Sequence, residues 1–480
     1  MRFADNVLLR LTKAIDYNYQ KENFRLTLEL ISAKARLLYE YNQSYIDDQS
    51  ELILKNVADQ YRNSFIHNSD QNTVLFYDGF GLDTRGLVQQ YLAALVANNY
   101  KVLYVTSAKN KEEQPQVFKI LEKGNYEVVY SENLSVLDKV RWLADYCSSH
   151  SFATAFMYTT PWDVSGVVLF NLLKGWVTRY QINLTDHAFW LGINAFDFSL
   201  EFRNYGAAIS KDYRGIDEKK LLRMPYYPVV NQNIQFQGFP MGFQGKKVLF
   251  SGGSPYKTID SNGTYYKLIK TILDRHLDVA FLYAGNGTTK ELNDLVKQYP
   301  QRAFHASERI DLTKVLENSR IFINTYPISG GLMLQYSAVS GCIPVTLKRI
   351  WDDDTDGILL DEESLHETYT DFNEVVAEID RLIDDDDYYR VKKELLNSQV
   401  ITEAEFSKRL KDILENPSKM AFDYIRSVDT RLYRKAYAEK LSEKDVIKCV
   451  INRDNLRASY IFPDLTIKRA ILLLMEGLCK

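Results

Sequence analysis

Two series of short apolar runs, each closing on a turn and leading into a helical stretch, constrain this chain more than any other feature. In the first series TVLFYD (73–78) passes through the glycine-rich turn GFGLDTRG (79–86) into the helical stretch LVQQYLAALVANN (87–99). KVLYVT (101–106), EVVY (127–130), TAFMYT (154–159) and YQINLTD (180–186) continue it. The second series comprises KKVLFSGG (246–253), DVAFLYAGNG (278–287), RAFHAS (302–307), RIFINTY (320–326) and IPVTL (343–347), with helical spacing around 262–275 and in LTKVLENS (312–319). Unbroken apolar runs alternating with helices predict parallel sheets covered on both faces. Between the series, MPYYPVVNQNIQFQGFPMGFQG (224–245) holds three prolines and reads as a linker. The expected fold class is α/β, with two Rossmann-like domains facing a cleft and helical extensions at both ends.

The flanks have a different texture. Residues 1–65 lack glycine and proline and show the spacing of two or three amphipathic helices, and 365–480 are again mainly helical. The boundaries read from these changes are a helical extension over 1–68, a first sheet domain over 69–235 and a second over 236–365. A helical region over 366–480 is expected to pack partly back on the first domain. A chain of 480 residues is too long for one ordinary core. The acidic run at 384–387 reads as a solvated loop.

A net charge of -4 argues against broad nucleic-acid binding, which needs a basic face. Cys147, Cys342, Cys449 and Cys479 lie far apart, which suggests neither a zinc site nor a disulfide framework and fits a reducing compartment. The first residues carry charges through their apolar positions, unlike a signal peptide. The expected location is cytoplasmic. The amphipathic stretch TIKRAILLLMEGLCK (466–480) is suited to the inner face of a membrane, to a partner protein or to packing on the chain itself.

Open parallel sheets bind ligands at the carboxyl ends of their strands, so the turns after strands are where chemistry is expected. In SGGSPYK (251–257), Gly252 and Gly253 permit close backbone approach and Lys257 supplies a point charge to a phosphate. In YPISGGLMLQYSAVSGCIP (326–344), Ser329, Gly330 and Gly331 open a helix whose amides and dipole suit an anion. His305 in FHASER (304–309) could meet a nucleobase. Asp186 and His187 in LTDHAFWLG (184–192) fall where a strand should end, and a histidine beside a carboxylate suits a general base. Asp83 and Arg85 add polar groups at the end of the first strand. A tight turn, a surface histidine or a loop cap is the plain structural alternative at each place. WDDDTD (351–356) contains D-x-D, a pattern that in one class of transferases holds a divalent metal.

The order of SGGSPYK, AGNG, FHASER and YPISGGLMLQYSAVSGCIPV resembles the C-terminal half of GT-B-fold glycosyltransferases, and the likeness extends over roughly residues 72–350. The resemblance implies a nucleotide-sugar bound by the second domain, UDP-sugar first among the candidates, and an acceptor bound by the first. Lys257 then resembles the phosphate-binding basic residue, Gly330 and Gly331 the diphosphate-binding helix start, and His187 the N-domain histidine. Gln335, adjacent to one of the family's glutamate positions, could take over a ribose hydroxyl contact. Many retaining members carry two glutamates in this motif, and here both positions fall on Ile328 and Tyr336. That departure turns the expectation toward an inverting enzyme, and the GT-B resemblance implies that neither a bound metal nor a resident cofactor is needed. The acceptor is expected to be a glycan, a lipid-linked sugar or a protein in bacterial surface polysaccharide or glycoprotein synthesis. A sugar-nucleotide epimerase and a non-catalytic glycosyltransferase-like subunit that stabilises a partner enzyme are the alternatives.

Overall fold

The computed structural model describes all residues except 1, 84–86, 132–133, 228–229, 231–233, 350–366, 399, 453–456 and 479–480. The chain divides into two compact units, Met1–Met224 with Ser407–Lys480, and Pro225–Phe406. Each is built around one parallel sheet.

The first sheet contains β1 (Thr73–Asp78), β2 (Lys101–Thr106), β3 (Tyr126–Tyr130), β4 (Thr154–Tyr158), β5 (Thr178–Ile182), β6 (Phe198–Glu201) and β7 (Leu221–Arg223). The strand order is β3-β2-β1-β4-β5-β6-β7, with every pairing parallel. All six residues of β1 are buried, because helices cover both faces at the centre of such a sheet. Strand order reverses between β1 and β4, which makes that gap the switch point of the sheet. YQINLTD is expected to be extended to residue 186, but β5 ends at Ile182. The segment after it turns to serve side-chain hydrogen bonds.

The N-terminal helices belong to this same core. On Phe3–Gln20 the inward residues are Ala4, Val7, Leu11 and Ile15, one stripe at helical spacing. The next helix, Phe24–Tyr41, is buried along most of its length, including Lys34, which pairs with Asp47 at 2.8 Å. Ser32 Oγ donates to the Trp162 carbonyl at 3.0 Å, and the Arg36 guanidinium lies 4.6 Å from the Trp162 ring centre. The C-terminal segment joins the same unit. Asn204 exchanges two hydrogen bonds with the backbone of Arg426, and Leu222 forms an antiparallel bridge with Ala421.

The second sheet contains β8 (Lys247–Gly252), β9 (Val279–Ala284), β10 (Ala303–Ala306), β11 (Ile321–Ile323), β12 (Ile343–Leu347) and β13 (Glu367–Tyr369). The order is β10-β9-β8-β11-β12-β13, again all parallel, and it reverses between β8 and β11. Residues 366–406 thus divide from the rest of the C-terminal helical region and belong to this unit. The acidic run is not a loop. Asp384 ends the helix Phe372–Asp384, Asp385 caps the next helix through the Tyr388 amide at 2.8 Å, and Asp386 and Asp387 occupy its first turn. Carboxylates are favoured there by the unsatisfied amides of a helix start.

Candidate functional site

In the second unit the loops after four strands interlock at the carboxyl edge. The Gly253 amide donates to the Ala284 carbonyl at 2.9 Å, and the Gly285 amide to that of Ala306 at 3.0 Å. A Cβ on Gly285 would lie 1.9 Å from the Gly253 carbonyl oxygen, and one on Gly252 would lie 2.9 Å from Met333 Cε. Gly285 therefore permits close packing of backbone on backbone, and Gly252 leaves room for the Met333 side chain. His305 Nε2 donates to the Gly285 carbonyl at 3.0 Å, and the Tyr283 hydroxyl donates to that of Gly253 at 3.0 Å. His305 thus braces the loops, and one of its ring nitrogens is taken up in doing so.

Lys257 sits in the short turn Pro255–Thr258, just beyond β8. Its carbonyl accepts from the Ile328 amide at 3.3 Å, which ties this turn to the loop after β11. Lys257 and the Ser329–Gly331 start of the helix Gly331–Val339 therefore flank the switch point between β8 and β11. The Lys257 ammonium is half-buried, makes no ion pair among the described residues, and burial lowers its pKa from the ordinary 10.5. A cation with this environment gains most from an arriving anion.

At the helix start, the Gly330 amide is already held by Asn324 Oδ1 at 2.9 Å, an oxygen that also accepts from Thr325 N at 2.9 Å. The Thr325 hydroxyl donates to the Ile328 carbonyl at 2.6 Å. The amides left for a ligand are those of the first helical turn, beginning with Gly331, which have no partner within a helix. Gln335 is fully buried, one turn further on. No face of it remains for a ribose hydroxyl, and that expectation is corrected by its burial.

In the first unit His187 and Asp186 lie in the segment between β5 and β6. Asp186 is fully buried and accepts both arms of the Arg203 fork, Nη2 to Oδ1 at 2.8 Å and Nε to Oδ2. Burial alone would raise its pKa, but the Arg203 charge and hydrogen bonds, with the bond from His187, outweigh it. The carboxyl is held well below the usual range. Asp186 is therefore a fixed anion and not a proton acceptor.

His187 Nδ1 lies 3.3 Å from Asp186 Oδ1. With the Nδ1 proton directed at the carboxylate, Nε2 keeps the lone pair. The imidazole is partly exposed and meets the Tyr433 ring edge-on at 6.2 Å. Asn42, which caps the helix Phe24–Tyr41 in the left-handed conformation at φ 48°, donates through Nδ2 to the His187 carbonyl at 3.1 Å.

Behind the pair, Arg214 is fully buried and donates to the carbonyls of Asp186 at 3.0 Å and Ala188 at 2.6 Å. Burial pushes it down to about 10 against the opposing effect of Glu201. Glu201, raised by burial, accepts from Ser199, Ser210 and Asn183. Gly206 is required in this wall, since a Cβ there would lie 2.6 Å from Asp186 Cβ. Arg203, Gly206, Arg214 and Tyr433 escape a sequence reading. The nearest of them lies 17 residues beyond Asp186, and nothing in the spacing of LTDHAFWLG announces it.

The first glycine turn is structural. Asp78 Oδ1 accepts from the amides of Phe80 and Gly81, both at 3.0 Å, and Gly81, at φ 63°, packs on the backbone of Ala108. Asp83 caps the helix Pro115–Leu121 by accepting from Gln116 N at 2.9 Å and Val117 N at 3.0 Å. Both bonds fall on Oδ1, so this oxygen has a structural task in the turn. Arg85 and the D-x-D of WDDDTD lie outside the described residues. Among the described residues no group of three or more His, Cys, Asp or Glu side chains could hold a metal ion.

No protein-family model matches the sequence, and no curated protein matches it. Solved structures do. An O-GlcNAc transferase mutant from Thermobaculum terrenum superposes with a TM-score of 0.50 at 13% identity, covering 91% of this chain and 81% of that one. A glycosyltransferase from Rickettsia africae gives 0.52 at 10% identity over 72% and 98%. The fold is GT-B. HepE from Anabaena, in complex with UDP-glucose, gives 0.51 at 11% over 72% and 99%. A UDP-N-acetylglucosamine 2-epimerase gives 0.51 at 11% over 75% and 100%. At these identities the GT-B likeness is one of architecture.

Proposed function

We propose that this chain is a glycosyltransferase that moves a sugar from a UDP-sugar to a glycan, lipid-linked sugar or protein acceptor. Bacterial surface polysaccharide or glycoprotein synthesis is the setting that fits. The observation that carries the reading is that the Lys257 turn and the loop leading into the Gly331 helix are tied by a backbone hydrogen bond at the β8/β11 switch point. A half-buried cation and outward amides suit the diphosphate of a nucleotide. The same groups would offset the charge that grows on UDP as the glycosidic bond breaks, which is usually the largest catalytic contribution. The UDP-glucose bound to HepE supports the choice of uridine nucleotide.

His187 would take the acceptor hydroxyl proton on Nε2. Asp186, kept ionised by Arg203, fixes the ring and stabilises the imidazolium that forms, a positioning role. Ile328 and Tyr336 stand at the positions where retaining relatives carry glutamates, which favours inversion. The reading requires no divalent ion, since Lys257 and the helix amides meet the diphosphate charge.

Titration calorimetry with UDP, GDP, TDP and CMP, with and without chelator, tests the donor site. UDP should bind, chelator should not matter, and Lys257→Ala should abolish the heat. No binding of any of these nucleotides would refute the reading. The likeness to a UDP-N-acetylglucosamine 2-epimerase favours a second reading, in which the bound UDP-sugar is epimerised without an acceptor. Conversion of a UDP-sugar in the absence of acceptor separates the two. UDP binding with neither turnover would favour the non-catalytic subunit.

A further inference from the structure

The helix Pro463–Leu478 has two apolar faces, and only one is used inside the protein. On the inner side Leu465 is fully buried, Leu472 packs against the core of the first unit, and Arg10 grips Asp464 with two hydrogen bonds at 2.7 and 2.8 Å. The Lys468 ammonium lies 4.8 Å from the centre of the Phe3 ring and 3.5 Å from Glu443. The helix is therefore fixed in place. On the outer side Ile467, Ile471, Leu474 and Met475 are 63%, 51%, 68% and 60% exposed. Their spacing of four, three and one places them in a single stripe. Leu473 and, just before the helix, Tyr460 are exposed as well. Single exposed apolar residues are ordinary, but a contiguous stripe marks a surface that something covers.

Charge indicates what covers it. The last 50 residues hold 11 Lys and Arg against six Asp and Glu, +5, while the preceding 430 hold 48 against 57, -9. The stripe lies in the basic part of an otherwise acidic chain. We infer that this helix seats the protein on an anionic lipid bilayer, with the Ile467–Met475 stripe in the headgroup–acyl boundary and the basic C-terminal segment facing lipid phosphates. No described helix is long and apolar enough to cross a membrane, so the contact is interfacial. A transferase held this way would meet lipid-linked acceptors. The docking itself does not depend on the donor-site reading.

Co-flotation of the full chain with vesicles of phosphatidylcholine containing about one-third phosphatidylglycerol tests it. The protein should float with these vesicles, not with phosphatidylcholine alone, and less at raised salt. The double variant Ile471→Asp, Leu474→Asp should lose vesicle affinity by about tenfold or more. Its thermal midpoint should be unchanged, which shows that the fold persists, and UDP titration of both proteins reports separately on the donor site. Failure of the parent protein to float with anionic vesicles would overturn the inference, as would flotation that the double variant retains or equal flotation with neutral vesicles. A dimer in sedimentation that the variant converts to monomer, with no vesicle binding, would make a second copy the occupant and also overturn it.

Discussion

Lys257→Met separates function from stability at one atom. Methionine keeps an unbranched apolar stem of similar length and removes the ammonium. In the free protein that ammonium is half-buried and has no ion-pair partner among the described residues, so burial acts against its charge. The substitution should therefore leave the thermal midpoint equal or raised. With nucleotide bound, the lost charge-assisted hydrogen bond to phosphate is worth about 1.5–3 kcal/mol, or about 10- to 150-fold in Kd for UDP. Calorimetry with UDP and a melting curve on the same two proteins measure both effects. A fall of several degrees in midpoint would show that Lys257 supports the fold. An unchanged Kd would remove it from the site and with it the donor-site argument.

The pH dependence follows from the same burial. The lowered pKa means that Lys257 begins to lose its proton below the ordinary 10.5 as pH rises. A bound diphosphate favours the charged form and raises that pKa again. UDP binding should then weaken with rising pH at the alkaline end, and in that range it should take up protons. Lys257→Met should show neither effect.

In an acceptor-dependent assay, His187→Gln should lower kcat by about 10²–10⁴ with UDP affinity unchanged, because loss of a general base affects turnover alone. Asp186→Asn leaves Arg203 buried against a neutral partner and should cost about 3–5 kcal/mol in denaturant unfolding. The Asp186 contribution to stability is present above the unfolded carboxyl pKa and falls away as pH drops toward the lowered folded value. The parent protein should therefore lose stability below about pH 4 by an increment that the variant lacks. Gly285→Ala forces a methyl group to within 1.9 Å of the Gly253 carbonyl oxygen and should destabilise by about 1–3 kcal/mol and weaken UDP binding. A melting curve and a titration check it.

The architecture was legible because parallel strands at the centre of a covered sheet must be apolar on both faces. TVLFYD and DVAFLYAG announce themselves for that reason, and their turns locate the carboxyl edge. β6 and β7 were not legible. FSLE and LLR are four and three residues long, and Ser199 and Glu201 stay buried only because Ser210 and Asn183 satisfy the Glu201 carboxylate. No periodicity records a partner nine or eighteen residues away. The end of β5 is hidden for a related reason: Asn183 and Asp186 continue a plausible run, but their side chains are drawn into the Glu201 and Arg203 interactions.

The same distinction explains the site. Motifs reveal residues whose backbone must do something local, so the turns that hold Gly253, Lys257 and Gly331 are legible as turns after strands. A side chain's availability depends on contacts that are distant in sequence. Asp83 and Asp186 look alike as acidic residues beyond strands. One caps a helix through an amide 33 residues on, and the other is held by an arginine 17 residues on. The partly exposed His187 keeps Nε2 without a hydrogen-bond partner among the described residues, while its other nitrogen is anchored by an aspartate that is itself anchored. The N-terminal helices bear on this through Asn42, whose amide holds the His187 backbone. What reads in sequence as an appended extension is thus part of the wall that positions the candidate base. Asn42→Ala should accordingly lower kcat through His187 while leaving UDP affinity intact, whereas an extension with no such role would tolerate the change.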